Sequence, residues 1–303
     1  MTAPRSVVVL GSTASGKSDV AMSVATSLSN IEIVAADSMQ VYRGMNIGTA
    51  KPTAADQQAV RHHGIDLVEP SDDFSVAQFV DSVTAARRDM ATRGVAELVV
   101  GGTGLYVTAL VDGLNMPGQW PEIREELEAN EDTESLFAEL VQRDPVAASR
   151  MEPNNRRRIV RALEVCRGSG TTFSSFGSGI TEFPQTNTVM IGIRWERDIL
   201  RARIEERVGR MMAHGLIDEV QSLLSLGRPL SKTAQQALGY KEVIEGLHKG
   251  WSVDEMAATI TLRTQQFAVR QERWYRRDPR IHWVQVQNNP IEEVAPQVAA
   301  ALA

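Results

Sequence analysis

The stretch VVVLGSTASGKS, which runs from Val7 to Ser18, decides the fold of this 303-residue chain. Its first four residues are apolar and predict a buried strand, and apolar residues then recur at four-residue spacing from Val20 to Leu28, which predicts a helix. Between them lies the pattern G-x-x-x-x-G-K-[ST]. Such a loop points backbone N–H groups inward at the start of a helix, where they can surround phosphate oxygens. The stretch therefore predicts an α/β fold, with a P-loop parallel sheet core flanked by helices, and a polyphosphate site.

The residue types in this loop suit a phosphate ligand. Lys17 supplies a full positive charge, and the Ser18 hydroxyl can bind Mg²⁺. The alternative, a glycine-rich turn that arose by chance, is disfavoured by the strand before it and the helix after it. The residues predicted to bind a diphosphate are Gly11, Ser12, Thr13, Ala14, Ser15, Gly16, Lys17 and Ser18, and Ser18 is also the predicted metal ligand.

The composition excludes several classes of protein. With 43% hydrophobic residues the chain can bury a substantial core, and we expect neither a signal peptide nor a membrane span. The single cysteine, Cys166, excludes an internal disulfide framework and a cysteine zinc site. These features fit a cytoplasmic protein. The net charge of −6 argues weakly against a nucleic-acid partner, although local patches matter more than the total.

Two further strands are predicted to end at the edge of the sheet where the loop lies. The apolar run Ile31 to Ala36 is followed by Asp37, and Ala96 to Val100 is followed by Gly-Gly-Thr-Gly. Because parallel strands bring their carboxyl ends to one ligand crevice, we expect Asp37 to face the same crevice as Lys17. The alternative is that Asp37 only caps a helix or a turn.

The end of the strand Ala96 to Val100 also argues against one class of enzyme. Nucleoside-triphosphate hydrolases commonly hold Mg²⁺ with an aspartate at the end of an apolar strand, and this strand has no acid there. No glutamate is evident that would activate water. The pattern favours an enzyme that moves a group from a phosphate-bearing donor to a second substrate held near Asp37.

A helical insertion is predicted where the apolar strands disappear. We assign residues 116–185 to this insertion and residues 1–115 and 186–303 to the P-loop core. Arg156 to Arg158 and Arg161 form a basic cluster at the start of one of its helices, where cations oppose the helix dipole. Phosphate contact would explain the cluster, and a solvated charged face is the alternative.

Two further rows of arginines follow in the second half of the chain. They accompany predicted helices and, with the basic cluster, indicate a positive face against a polyanion. The rows are Arg203, Arg207 and Arg210, and Arg263, Arg270, Arg273 and Arg277.

Six segments, taken together, are typical of one family. They are GSTASGKS at 11–18, ADSMQVYRGMNIGTAKP at 36–52, GGTGLY at 101–106, RRRIVRALEV at 156–165, QALGYKE at 236–242 and RTQQFAVRQERWYRR at 263–277. The phosphate loop is shared by many enzymes, whereas the second, third and fifth segments in this order are diagnostic. Over nearly its whole length the chain resembles the bacterial tRNA dimethylallyltransferases, also called tRNA isopentenyltransferases.

This resemblance implies an activity. A dimethylallyl group would pass from dimethylallyl diphosphate to N6 of the adenosine 3′ of the anticodon in tRNA, with release of diphosphate. Lys17 and Mg²⁺ on Ser18 would stabilise the departing diphosphate, and Asp37 would accept the N6 proton. Thr103 would contact the base, which must leave its stack. Lys17, Asp37 and Thr103 are thus the implied catalytic residues.

The resemblance also implies the partners and an RNA surface. The partners are the tRNA anticodon stem-loop and dimethylallyl diphosphate, and we expect a monomer. The residues implied to bind tRNA are Asp37, Ser38, Met39, Gln40, Thr103, Arg124, Arg157, Arg158 and Arg161.

Two other functions fit parts of the sequence. A small-molecule kinase of the nucleoside or shikimate type would share the phosphate loop, the acid after the second strand and a lid, but would use ATP and a small acceptor. A nucleotide-regulated RNA-binding module would need Lys17 and the arginines and would leave Asp37 dispensable.

Overall fold

The core of the protein is one parallel sheet. The computed structural model describes residues 6–177 and 182–303. Its strands are β1 (Ser6–Gly11), β2 (Ile31–Ala36), β3 (His62–His63), β4 (Ala96–Gly101), β5 (Val189–Arg194) and β6 (Ile281–Gln285). They lie in the order β3-β2-β4-β1-β5-β6, and every pairing is parallel. The predicted α/β fold with a parallel sheet is confirmed.

Helices connect and cover these strands. They are α1 (Lys17–Ser27), α2 (Ala54–Ala59), α3 (Val76–Arg93), α4 (Gly104–Asp112), α5 (Pro121–Ala129), α6 (Thr133–Arg143), α7 (Pro145–Ser149), α8 (Arg156–Ser169), α9 (Arg197–Ala213), α10 (Leu216–Leu224), α11 (Lys232–Gln235), α12 (Tyr240–Lys249), α13 (Val253–Tyr275) and α14 (Pro290–Leu302), with a 3₁₀ helix at Phe173–Phe176. The chain forms two compact units, one of Met1–Val111 with Gln185–Ala303 and the other of Asp112–Pro184.

The unit that contains the sheet has three layers. Alternate residues of a strand point to opposite faces, so each strand contributes to two cores. Val8, Leu10 and Val99 belong to the core that also contains residues of α3, α9, α10, α12 and α13. Val7, Val9 and Leu98 belong to the core that contains residues of α1 and α14. Both faces are therefore covered, which explains why the strands read as continuous apolar runs.

The helical unit has its own core. Leu127 of α5, Leu136 and Leu140 of α6, and Ile159 and Leu163 of α8 are buried together. Asp132 and Asn155 cap α6 and α8 by accepting hydrogen bonds from backbone N–H groups of the first turn. Packed helices therefore form the core of this unit.

No helix within residues 6–177 and 182–303 is both long enough and apolar enough to cross a bilayer.

Candidate active site

The order of the strands brings three loops together at one edge of the sheet. β4 lies between β2 and β1 and pairs with both. The loops after β1, β4 and β2 are therefore neighbours at the carboxyl ends of the strands, where parallel sheets bind ligands. These loops carry the phosphate loop, Thr103 and Asp37.

The phosphate loop leads directly into α1. Gly16 has a φ of 90°, which favours glycine, and a side chain there would also collide with Pro290, since an added Cβ would lie 2.7 Å from its Cγ. Lys17 is the first residue of α1, so the loop presents its backbone at a helix N-terminus.

Side chains from distant elements hold this loop from outside. The indole Nε1 of Trp195 donates a hydrogen bond to the Ser15 carbonyl at 3.0 Å, and Nε of Arg203 donates to the Ala14 carbonyl at 2.9 Å. The Arg203 guanidinium also stacks on Trp195, 4.4 Å from the ring centroid. The loop conformation is therefore fixed by residues of the second half of the chain.

Gln271 of α13 joins the phosphate loop to the loop after β4. Its Oε1 accepts a hydrogen bond from the Thr13 N–H at 2.8 Å, and its Nε2 donates to the Gly102 carbonyl at 2.7 Å. The side chain is buried. Gly102 allows this approach, because an added Cβ would lie 2.9 Å from Nε2 of Gln271 and 3.4 Å from Cε of Lys17. The sequence analysis did not identify Gln271.

A cavity of about 1200 Å³ opens beside the phosphate loop. It is large enough for a diphosphate ester together with part of a second substrate. Basic and acidic side chains face it from different elements. Its lining includes Lys17, Ser18, Asp19, Asp37, Gln40, Gly102, Arg203, Arg207 and Arg210.

The electrostatics of the cavity favour an anionic ligand. Burial, reinforced by the neighbouring Arg207, lowers the pKa of Lys17 to about 8, while Asp37 and Asp19 act in the opposite direction. Burial also lowers the pKa of Arg207, and Asp37 again opposes the shift. A bound diphosphate would stabilise the charged forms of these two neighbouring cations.

Asp37 both caps a turn and lines the cavity. Its Oδ1 accepts hydrogen bonds from the N–H groups of Met39 at 2.9 Å and Gln40 at 3.4 Å. Its Oδ2 makes no hydrogen bond to any described residue. The turn therefore fixes the orientation of the carboxylate and leaves one oxygen for a ligand. Asp37 thus faces the same cavity as Lys17 in addition to capping the turn.

Thr103 is placed against the loop that carries Asp37. Its Oγ1 accepts a hydrogen bond from the Ser38 N–H at 3.1 Å and lies 3.3 Å from the Ser38 hydroxyl. Its own N–H donates to the Ala36 carbonyl at 3.3 Å. The ends of β2 and β4 are thus tied together at the predicted reaction centre.

The long loop after Asp37 is ordered by two polar side chains, Gln40 and Glu219. Nε2 of Gln40 donates to the carbonyls of Thr49 and Ala50, both at 3.2 Å. Glu219 of α10 accepts hydrogen bonds from the N–H groups of residues 46, 47 and 48 and from the Tyr240 hydroxyl. The motif residues of this loop therefore build a wall of the cavity. Met39 and Gln40 stay predicted tRNA contacts.

The surroundings of Ser18 suit a magnesium ion whose other ligands are mainly substrate phosphates and water. Ser18 is exposed in the first turn of α1 and lines the cavity. No cluster of three or more histidine, cysteine, aspartate or glutamate side chains within the described residues could hold a metal without a substrate. Mg²⁺ commonly keeps several waters and binds through few protein oxygens plus substrate phosphates. The residues present fit such an ion, which stays a prediction.

The arginines of the helical unit fall into two groups. Arg156 donates to the carbonyls of Leu127, Glu128 and Asn130, and Arg161 donates to those of Pro117 and Gly118 and pairs with Glu164 at 2.9 Å. Arg124 pairs with Glu128 at 2.9 Å. Arg157 and Arg158 are exposed and have no side-chain partner among the described residues. The second group is the better candidate for contact with RNA.

The comparisons with known proteins agree with this geometry. The family model described as IPP transferase matches residues 40–278, and the one described as Isopentenyl transferase matches residues 5–67. The chain belongs to the IPP transferase family. The resemblance seen in its motifs is confirmed, and the kinase alternative loses its support.

Relatives of this family match nearly the whole length of the chain. A tRNA dimethylallyltransferase of Geobacter metallireducens is 45% identical over 287 residues, which are 93% of this chain and 92% of that protein. Another from Pelotomaculum thermopropionicum is 42% identical over 298 residues, 97% of this chain and 95% of the relative.

Solved structures also match. The full-length tRNA isopentenylpyrophosphate transferase of Bacillus halodurans has a TM-score of 0.70 and 37% identity, and covers 99% of this chain and 97% of its own. A eukaryotic dimethylallyltransferase acting on tRNA has a TM-score of 0.82 and 23% identity, and the match covers 98% of this chain and 78% of that chain. At this identity the similarity supports the fold alone. The chain is thus an IPP transferase family enzyme, a prenyltransferase.

Proposed function

We propose that this protein transfers a dimethylallyl group from dimethylallyl diphosphate to N6 of the adenosine 3′ of the anticodon in tRNA. The observation that carries the proposal is that Lys17 and Asp37 line one cavity. They follow β1 and β2, the two strands that flank β4 in the sheet. An anion site and a carboxylate in one cavity suit a reaction that releases a diphosphate and a proton.

The donor side of the reaction uses the phosphate loop. The allylic C–O bond breaks, and its electron pair leaves with the diphosphate. Lys17, Arg203 and Arg207 lie around the loop and would stabilise the growing negative charge. One preorganised hydrogen-bond donor of this kind typically lowers the activation free energy by about 3–4 kcal/mol. When bound, Mg²⁺ on the Ser18 hydroxyl would neutralise phosphate charge as a Lewis acid.

The acceptor side uses the loops after β2 and β4. N6 of adenine forms the new C–N bond, and its proton passes to Oδ2 of Asp37, since Oδ1 is engaged by the turn. The Thr103 hydroxyl, held by the Ser38 N–H, would contact the amino edge of the base. The adenosine must leave its stack to enter the cavity.

Relatives named for their action on tRNA support an RNA acceptor. Arg157 and Arg158 supply exposed positive charge on the helical unit for its phosphates. A cytoplasmic location and a monomeric state fit the proposal and stay predictions.

The test is incubation of the purified protein with labelled dimethylallyl diphosphate and bulk tRNA, followed by digestion and nucleoside analysis. We expect label in N6-(dimethylallyl)adenosine and free diphosphate. Label retained in the donor, together with phosphate transfer from ATP to a small acceptor, would contradict the proposal and favour the kinase.

A further inference from the structure

We propose that Lys51 is a positioning residue for the acceptor side of the reaction, and that it acts through its ion pair with Asp66. The pair holds Gln40, and through Gln40 the carboxylate of Asp37, in the orientation that receives the N6 proton. The identity of the reaction rests on the proposed function. All four side chains line the cavity beside the phosphate loop.

Lys51 carries a full charge where an apolar side chain would also fill the space. Its side chain is only 2% exposed, and its Nζ donates to Oδ1 of Asp66 and to the Tyr42 carbonyl, both at 2.6 Å. An apolar pair of similar volume often stabilises a fold as well as a buried ion pair does, so stability alone does not explain the two charges. The pair adds direction, because Nζ keeps both hydrogen bonds only while both acceptor oxygens stay in place.

The backbone at Asp66 favours a different residue from the one that is present. Asp66 has a φ of 50°, in the left-handed region that glycine adopts most readily. Aspartate tolerates this region better than most residues, but it still costs free energy, and such conformations are concentrated at functional sites. Glycine would relieve the backbone and could not pair with Lys51. The carboxylate at this position is therefore needed for the pair.

The ion pair closes a ring of hydrogen bonds around Gln40. The N–H of Asp66 donates to the Gln40 carbonyl at 3.0 Å. The Gln40 side chain donates to the carbonyls of residues 49 and 50, which directly precede Lys51. Gln40 is thus held from two sides by segments that Lys51 and Asp66 join together.

Gln40 connects this ring to the reaction centre. Its N–H and that of Met39 donate to Oδ1 of Asp37, which leaves Oδ2 for a ligand. Without Lys51 these N–H groups would be free to shift, and the carboxylate would lose its orientation. The phosphate loop does not depend on the ring, because side chains of α9, of α13 and of the residue after β5 hold it. We therefore expect Lys51 to act on the acceptor side and not on donor binding.

The test measures single-turnover prenyl transfer at saturating tRNA, together with binding of dimethylallyl diphosphate by titration calorimetry. Lys51→Met keeps the length of the side chain and removes the ammonium group. We expect the transfer rate to fall about 10- to 100-fold, as for a misplaced reacting group. The dissociation constant of the donor should change by less than about threefold, because the phosphate loop keeps its own anchors.

The matched control is Glu69→Gln, which breaks an exposed ion pair with Arg43 beside the same loop. The transfer rate and the donor affinity of this control should stay within about twofold of the parent values, because exposed pairs contribute little.

Asp66→Gly removes the other partner of the pair. Glycine suits the φ of 50°, so a loss of rate in this variant does not come from the backbone, and the variant serves the same test if Lys51→Met does not fold. If the two residues act as one unit, Asp66→Gly and the double variant K51M/D66G should each lose about as much rate as Lys51→Met.

Hydrogen exchange provides a readout that needs no activity. Peptides within residues 37–52 should exchange faster in all three variants of the pair and at close to the parental rate in Glu69→Gln. A parental transfer rate in folded Lys51→Met would overturn the positioning role, and so would losses that add in the double variant or that recur in Glu69→Gln.

Failure of the proposed function gives a different result. If the parent protein itself transfers no prenyl group, the proposed function is wrong. Faster exchange confined to the variants of the pair would then still support the hold of Lys51 on residues 37–52, and unchanged exchange would overturn that hold as well.

Discussion

Replacement of Gln271 by methionine tests whether one buried side chain holds both halves of the reaction centre. Methionine has a similar length and no hydrogen-bonding amide. The change removes the acceptor of the Thr13 N–H and the donor to the Gly102 carbonyl, which are 2.8 and 2.7 Å away in the parent protein. The phosphate loop and the loop that leads to Thr103 would then lose their common anchor.

The expected cost follows from burial. Gln271 is only 7% exposed, so the two backbone groups would be left without partners in a largely dry environment. A buried polar group that loses its hydrogen-bond partner lowers the free energy of unfolding by about 1–3 kcal/mol. For the Thr13 N–H and the Gly102 carbonyl together we expect a loss of about 2–4 kcal/mol, because water can reach one of the two groups. We also expect a higher KM for the donor and a lower kcat, since both loops can shift.

Urea unfolding and steady-state kinetics on the same preparations measure these effects. The matched control is Gln266→Met, the same substitution at an exposed position of the same helix, which should change the free energy of unfolding by less than about 0.5 kcal/mol. A Gln271→Met enzyme with parental stability and parental kinetics would refute the inferred anchoring role.

Three further predictions follow from the site and from the helical unit. Burial lowers the pKa of Lys17 to about 8, so above that pH the free protein must gain a proton to bind the diphosphate donor. Titration calorimetry should therefore show donor affinity falling up to about tenfold per pH unit above pH ~8. In Lys17→Met this pH dependence should vanish, and its persistence would assign it to another group. The double variant R157Q/R158Q should lower the salt slope of tRNA binding by about 1–2, whereas an unchanged slope would make these arginines a merely solvated face. Gly48→Ala should lower the free energy of unfolding by about 1–3 kcal/mol, since the added Cβ would lie 2.4 Å from the Tyr240 ring. A urea midpoint equal to that of the parent would contradict this prediction, because it would show that the Tyr240 ring moves aside without loss of stability.

Local patterns were enough to predict the parts of the site that lie on the strands. The apolar run Ile31 to Ala36 is β2 with those same bounds, and Asp37 follows it into the cavity beside Lys17. These parts could be predicted because each is visible in a short stretch of sequence: a strand buried on both faces is a run of apolar residues, and a phosphate loop has glycines at fixed spacing.

Other parts depend on contacts that no local pattern contains. Gln271 meets Thr13 across 258 positions of sequence, and its helix gives no sign of which neighbour that face will touch. The spacing of Arg203 and Arg207 predicts a face that meets a polyanion, but only the structure shows that both line the cavity beside the phosphate loop. Helical spacing specifies a shared face but not its partner.

The sequence analysis also placed no element after residue 277, where the structure has β6 and α14. β6 is a short strand in which Ile281 is the one buried residue, so it lacks the apolar run that marked the other strands. It is identified by its pairing with β5, in which Met190 is opposite Ile281.

The central claim is that Asp37 takes the proton released when N6 attacks the allylic carbon. The most direct measurement is single-turnover prenyl transfer by Asp37→Asn, which retains an oxygen for the Met39 and Gln40 N–H groups but is not a base. We predict that the rate within the tRNA complex falls by about 10²-fold or more, with little change in tRNA affinity. A rate equal to that of the parent enzyme would contradict the claim.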